Sequence, residues 1–457
     1  MAFKRSAVRT RLSPPLHDNP NPIIPRGEGF GFILYLNDLE VIMKRVLILG
    51  VGAQGATVAQ RLDEEPNVAE IICADYDENA VDRLVKTLKK ARGTKVDGRN
   101  TEALIKAAAG VDLIVNALPV EFGKQVLDAA LAVKADYQDF AAPSNIIEDG
   151  HTNIESYIGG FSILYEEYGK RFAQIGKTAV IGTGSAPGLI CVAARRAVRE
   201  LDSCDTIYMM VYDGSEAKRF LPFWWSPVVA LTDMSWNGIA YIDGKIVVTE
   251  PFGLPIKRRF PELGGREVTL VEHAHDEPIN LGFNADKFFK GAKNIYFKYG
   301  GKGVDFAYPL YRAGLLSHKE VEIDGQMVVP FNVILAHMPP APKFREEIKE
   351  ILDEGLVSEE GAMVVEAYGV KNGKKVMVDV HISAPGIMES FERSGLTAEM
   401  YLTGQSGFLF TKLFIEDLYT QKGLISTDML TEAQNDYYLN LAAKLDITLS
   451  VEVKSDE

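Results

Sequence analysis

The stretch Val46-Leu47-Ile48-Leu49, running straight into Gly50-Val51-Gly52-Ala53-Gln54-Gly55, limits this chain more than any other. Four apolar β-formers in a row predict a strand buried on both faces, and an amphipathic pattern after Gly55 predicts a helix. Between them the glycines divide the work. Gly50 makes the tight turn, Gly52 lets the backbone approach a pyrophosphate, and Gly55 lets helix and strand pack closely. Gly50, Gly52, Ala53, Gln54 and Gly55 then place free N–H groups at a helix N-terminus, where negative charge is favoured. A second apolar run, Ile71-Ile72-Cys73-Ala74, ends on Asp75 at the distance where an acid meets the adenosine ribose hydroxyls. A carboxylate there repels a 2′-phosphate, and no Arg or Lys follows immediately to bind one. The reading is an NAD site, with NADP the less favoured cofactor.

A chain of 457 residues exceeds one hydrophobic core, so two domains are expected. The formal net charge of −14 argues against a nucleic-acid partner, which calls for a basic face. No apolar run approaches the roughly 18 residues of a membrane span. Cys73, Cys191 and Cys204 show neither a CxxC nor a metal-binding spacing, which suits a reducing, cytoplasmic setting.

Residues 1–42 differ from the rest. Lys4, Arg5, Arg9 and Arg11 precede Pro14, Pro15, Pro20, Pro22 and Pro25. Such a segment builds no core and reads as a disordered N-terminal extension, either upstream of a natural start at Met43 or serving as a transit peptide. From Met43 strands and helices alternate. A third strand is expected at Lys95-Val96-Asp97, with Asp97 facing the adenine. A fourth ends in Asn116-Ala117-Leu118-Pro119, placed to touch the nicotinamide ribose, because ligands lie beyond the carboxyl ends of such strands. A fifth covers Asp136–Phe140, and a helix Ile163–Gln174. The sixth strand, Thr178–Ile181, leads into a second glycine turn, Gly182 to Gly188. Its Ser185, Ala186, Pro187 and Gly188 are candidates to present N–H groups to a substrate carboxylate; a plain tight turn is the alternative.

After Leu201 the texture changes. Asp243-Gly244, Asp324-Gly325 and Asn372-Gly373 sit between β-rich runs, the signature of type I′ hairpins. Helical patterns return at Thr397–Tyr419 and Thr431–Leu445. The fold class is therefore α/β: a doubly wound parallel sheet with an inserted α+β domain on a mostly antiparallel sheet. The expected boundaries are 43–188 for dinucleotide binding, 189–396 for the inserted substrate and dimerisation domain, and 397–457 for helices that return to the first domain. In the alternating run Glu267 to Asp276, His273 and His275 share a face, opposite Glu272 and Asp276. His273 is the candidate base and Asp139 a candidate to orient the reacting groups. The histidines could also bind a metal, but no third ligand is visible at a suggestive spacing, so none is assigned. Arg258, Arg259 and Arg312 are candidate carboxylate anchors.

Taken together, four features resemble the saccharopine dehydrogenase-like oxidoreductases. They are Val46 to Gly55 with Asp75, the run Val115 to Pro119, the Gly182 to Leu189 signature with its Ala186-Pro187-Gly188 turn, and Tyr401-Leu402-Thr403-Gly404 continuing to Lys422-Gly423-Leu424. The resemblance implies a Rossmann domain completed by C-terminal elements, a second sheet that often forms a homodimer interface, and hydride transfer at the C–N bond of a small amino-acid substrate. Oxidative deamination of the lysine 6-dehydrogenase type is the leading expectation. A saccharopine- or opine-type reductase, joining an amino acid to a carbonyl compound, is the alternative. A methyltransferase or a non-catalytic nucleotide-binding protein would be readings from other classes.

Overall fold

The structure is a computed structural model and describes residues 43–150 and 152–455. The extension expected over 1–42 lies outside the described residues. The first sheet is built from β1 (Lys44–Leu49), β2 (Val68–Asp75), β3 (Ala91–Lys95), β4 (Leu113–Asn116), β5 (Asp136–Asp139) and β6 (Thr178–Ile181), with Gly423–Ser426 as a seventh strand. All seven are parallel, in the order Gly423–Ser426, β6, β5, β4, β1, β2, β3. The run at β1 is continuously apolar because both of its faces are covered. Val46 and Ile48 enter one core, and Leu47 and Leu49 the other. The strand order reverses between β1 and β4, so the crevice at their carboxyl ends is the natural ligand site.

Helix α1 (Ala53–Glu64) starts without a side-chain cap, so its first N–H groups stay open toward that crevice. Gly50 has φ +87°, and a Cβ on it would lie 2.6 Å from the carbonyl of Ala117. At Gly55 a Cβ would lie 1.9 Å from the carbonyl oxygen of Gly50, inside any tolerable contact. Gly55→Ala is therefore expected to push α1 off β1. Stability should fall by about 1–3 kcal/mol and dinucleotide affinity should be lost, read by thermal melting and cofactor titration.

The second sheet is mixed. Its strands are β7 (Ser203–Asp213), β8 (Ile239–Ile242), β9 (Lys245–Val248), β10 (Ile256–Arg259), β11 (Glu267–Glu272), β12 (Asn294–Gly301), β13 (Gly361–Lys371), β14 (Lys374–Ser383) and β15 (Thr448–Ser455). The main path runs β9-β8-β12-β7-β13-β14-β15, with β11 pairing β12 and β10 pairing β11. Only β7 and β12 pair in parallel; the other pairs are antiparallel. Three helices matter for the site: α2 (Leu189–Val198), α3 (Pro227–Ser235) and α4 (Ala398–Ile415). Among the described residues, no helix is long and apolar enough to cross a membrane.

Three expectations need correction. The last strand, Thr448–Ser455, does not return to the first domain with the tail helices; it pairs with β14 through its alternating half-exposed pattern. The third strand is Ala91–Lys95 rather than Lys95–Asp97. It is an edge strand with a mostly exposed sequence and gives no alternation to read. Residues 163–174 are the second half of a longer helical run that begins at Ile154 and contains a π-helical stretch, Leu164–Tyr168.

Candidate active site

A cavity of about 1710 Å³ opens at the carboxyl ends of β1 and β4 and extends to the second sheet. That is larger than the ordinary small-molecule pocket of roughly 300–1,000 Å³ and has room for a dinucleotide with a substrate. Gly50, Gly52, Ala53, Gln54, Asp75, Asp97, Asn116, Ala117, Leu118 and Pro119 all line it. Gly55 does not, since it packs behind Gly50. Asp75 accepts from the N–H of Val51 at 2.9 Å and of Asp77 at 3.1 Å, which fixes its carboxylate beside the glycine turn. Asp97 faces the cavity from a loop, but Arg99 clamps it with bonds of 3.0 and 2.8 Å, and that contact lowers its carboxyl to about 2. The turn, the bare helix start and the fixed acid together fit a dinucleotide.

The other end of the cavity is formed by the second glycine turn. Ser185, Ala186 and Pro187 line it, whereas Gly188 does not. Gly188 has φ +128°, and a Cβ there would meet the carbonyl of Gly184 at 1.9 Å, so its role is to close the turn. The turn is braced from both sides. Ser185 Oγ lies 2.9 Å from Thr403 Oγ1 on α4, and Ser406 bonds the carbonyls of Thr183 and Gly184. Asp139 is buried, and both its oxygens are engaged. Oδ1 accepts from the N–H of Gly182 at 2.8 Å, and Oδ2 accepts from the hydroxyl of Tyr137 at 2.8 Å. Tyr137 in turn accepts from Asn116 Nδ2 at 3.1 Å, and Asn116 Oδ1 accepts from the N–H of Leu118 at 3.2 Å. Asp139 therefore holds the two cofactor loops in register. Asp139 also lines the cavity, as its candidate role from sequence requires.

His273 and His275 come together as the alternation implied, although β11 ends at Glu272 and they lie on the segment after it. Their rings are 5.1 Å apart. His273 stacks on Tyr299 at 5.0 Å and His275 on Phe297 at 4.1 Å. Burial, with His275 beside it, holds His273 well below its ordinary pKa and therefore neutral. Burial alone would lower His275 as well. Glu277 reverses this, with Nδ1 to Oε2 at 3.0 Å, and Asp233 and Asp276 add to it, so the imidazolium persists to about 9. The expected opposition of Asp276 to the histidine face fails because the chain turns into a helix at Glu277, which brings Asp276 round toward His275.

Asp233, on α3, was not legible in sequence. One donor atom from each of Asp233, His273 and His275 falls within 4.8 Å of the others, so the third group sought beside the histidine pair is present. It escaped notice because a helix in another part of the chain supplies it. Also unforeseen were Asp213 at the end of β7 and Glu399 in the first turn of α4, both lining the cavity. The proposed carboxylate anchors are elsewhere: Arg258 pairs with Glu366 at 3.1 Å, Arg259 with Glu267 at 3.3 Å, and Arg312 with the Tyr308 hydroxyl at 3.1 Å. None of the three lines the cavity. Among the described residues its Arg and Lys side chains are Arg83, Arg99, Lys343 and Arg345. Arg83 lies over the ring of Phe344, Arg99 is held by Asp97, and Arg345 lies over Phe391.

Residues 46–179 match the model of the saccharopine dehydrogenase NADP binding domain. The carboxynorspermidine synthase of Vibrio alginolyticus is 23% identical over 84% of this chain and 92% of its own length. That of Vibrio cholerae is 25% identical over 64% of this chain and 72% of its own. Among solved structures, apo saccharopine dehydrogenase (L-Glu forming) of Saccharomyces cerevisiae has the same fold. It superposes with a TM-score of 0.63 at 15% identity, covering 90% of this chain and 100% of that one. Residues 46–179 are thus similar to the NADP binding domain of saccharopine dehydrogenases, and the chain as a whole shares the saccharopine dehydrogenase fold.

Proposed function

We propose that this protein is an NADH-dependent reductase that joins an amine to a carbonyl compound through a new C–N bond. One observation carries the reading: Asp213, Asp233, Glu399, His273 and His275 all line the cavity, a set that favours a bound cation over a substrate carboxylate. An amino acid deaminated in the lysine 6-dehydrogenase manner would bring such a carboxylate with it. An amine brings a cation, and the product in the name of the Vibrio relatives is a carboxylated polyamine. The chemistry is a condensation followed by a reduction. The neutral amine adds to the carbonyl, water leaves to give an imine, and one hydride and one proton convert the imine to a secondary amine. Gly50 to Gln54 and Asp75 would hold the dinucleotide, whose chemistry when bound would be hydride donation. His273 is neutral and takes the proton that frees the amine lone pair, while His275 is cationic and returns a proton as water departs.

The test follows NADH absorbance with 1,4-diaminobutane or L-lysine against a panel of small aldehydes and keto acids. Oxidation that needs both amine and carbonyl supports the reading; NAD reduction by L-lysine alone sinks it and restores oxidative deamination. The cofactor choice rests on Asp75 with Asp77 beside it, two carboxylates where a 2′-phosphate would sit. NADH should outperform NADPH by at least about tenfold, the ratio set by roughly 1.4 kcal/mol. Asp75→Ala should shrink that ratio, measured as kcat/KM for each cofactor. Equal ratios in the two proteins would remove Asp75 from the ribose.

A further inference from the structure

His273 and His275 each present one ring nitrogen, and Asp233 one carboxylate oxygen, within 4.8 Å of the other two, yet Asp233 bonds to neither ring. Residues two apart on an extended segment point the same way, so the imidazoles converge without a bend in the chain. Tyr299 stacks on one ring at 5.0 Å and Phe297 on the other at 4.1 Å, which fixes both orientations. Behind His275, Nδ1 lies 3.0 Å from Oε2 of Glu277, whose side chain is buried. Both nitrogens of an imidazolium donate, so with Nδ1–H on Glu277 the proton that a metal displaces is the one on Nε2. A carboxylate behind a histidine in this way orients it for a metal and raises its basicity. Burial keeps His273 neutral, the form in which imidazole ligates. Neither His273 nor Asp233 makes a side-chain hydrogen bond among the described residues. All three residues line the cavity, so an ion reaches them from there. Charge favours the exchange. Asp233, Asp276 and Glu277 surround a single imidazolium, and Asp276 and Glu277 are buried. A divalent ion on two neutral imidazoles carries one more positive charge than the proton it displaces, and buried carboxylates gain from it. Two histidines and one carboxylate, with a further position left to water, suit Zn²⁺ and its first-row neighbours; Mg²⁺ and Ca²⁺ call for more oxygen ligands.

We propose that Asp233, His273 and His275 form a divalent transition-metal site, and that a bound metal and the proposed reaction exclude each other. The site stands on its own geometry; the exclusion rests on the proposed function. That reaction needs a lone pair on His273 to take a proton and a proton on His275 to give. A metal occupies the first and displaces the second to solvent. The loaded protein therefore keeps its dinucleotide site but exchanges no protons with a substrate.

The experiment is calorimetric titration of the full chain, first stripped of metal by a chelator, with ZnCl₂. One ion should bind per chain, and the melting midpoint should rise with it. Glu277→Gln, behind the ligand, should weaken binding by about 10–100-fold, and Asp233→Asn, His273→Gln or His275→Gln by more. His381 also sits between two acids, Glu262 and Asp379, but outside the cavity, so His381→Gln should bind zinc as the parent does. Asp233 lies on the half-buried side of α3, which makes Asp233→Asn the mildest change to the fold; parent-like melting of its metal-free form separates a lost ligand from a lost structure. One equivalent of Zn²⁺ should abolish amine-dependent NADH oxidation, and chelation should restore it, while NADH affinity stays within about twofold. Absence of stoichiometric binding, or binding that survives all three ligand changes, overturns the site. Full activity with zinc bound overturns the exclusion. Stoichiometric zinc in a protein that oxidises no NADH with any amine overturns the exclusion together with the reaction it rests on, and leaves the site standing.

Discussion

Replacing His273 with glutamine is expected to lower kcat for amine-dependent NADH oxidation by about 10²–10⁴-fold, the range that a positioned proton acceptor supplies. Glutamine keeps most of the volume and the stacking face against Tyr299 but cannot take a proton. The melting midpoint and the affinity for NADH should therefore change little. The side chain is 3% exposed and faces Phe297, Tyr299 and His275, so no bulk water replaces it directly as the acceptor. A variant that keeps a third of the wild-type kcat would show that the proton leaves by another route.

The same cluster sets a pH limit. His275 faces Glu277, Asp233, Asp276 and the neutral His273, and the carboxylates hold it cationic to about 9. As the proton donor it is competent below that pH, so kcat should fall as pH rises through about 9. The sign for stability is the same. A pKa raised above the ordinary 6.5 contributes stability that is complete below 6.5 and lost as pH climbs through about 9. In His275→Gln the alkaline limb should disappear from both profiles.

Much of the nucleotide half was legible because its local physics is strict. Gly50 needs its positive φ, Gly55 lies against the Gly50 carbonyl, and the apolar run of β1 is a strand covered on both faces. The hairpins were legible for a similar reason: Asp243, Asp324 and Asn372 all take positive φ before a glycine. The histidine face followed from period-two alternation, which persists beyond the last ladder bond at Glu272. What could not be read was convergence between distant segments. Asp233 reaches the histidines from α3, and Glu399 reaches Asp213 from α4; no spacing along the chain encodes either meeting. The partners of Asp139 were hidden for a related reason. A carboxylate at a strand end is in the right place for chemistry, and only the bonds from Gly182 and Tyr137 show that its oxygens are already committed. Thr448–Ser455 joins the second sheet as an edge strand, a placement decided by the open side of β14 rather than by its own alternation.

Lys298→Met is expected to cost about 3–5 kcal/mol, the penalty for leaving the partner of a buried ion pair uncompensated. Lys298 and Glu272 face each other across β12 and β11 with side chains 1% and 0% exposed, and Lys298 also donates to the carbonyl of Leu254 at 2.7 Å. Burial pushes the glutamate up to about 7 and lowers the lysine, each opposed by the other's charge, so neither is comfortable alone. The pair is not thereby a large net stabiliser, because desolvation offsets most of its attraction. The double variant Lys298→Met with Glu272→Gln should recover most of the loss. By thermal melting the single change should lower the midpoint by roughly 3–6 °C, with the double variant much closer to the parent. A single variant that melts as the parent does would mean the glutamate is neutral and the pair is not ionic. The pair's position makes a second readout available. Glu272 directly precedes His273, and Lys298 lies between Phe297 and Tyr299, the rings that carry the two histidines. An ion pair beneath that face fixes the register of the acid–base groups above it. The single variant should therefore lose kcat more than it loses NADH affinity, and the double variant should regain stability before it regains rate.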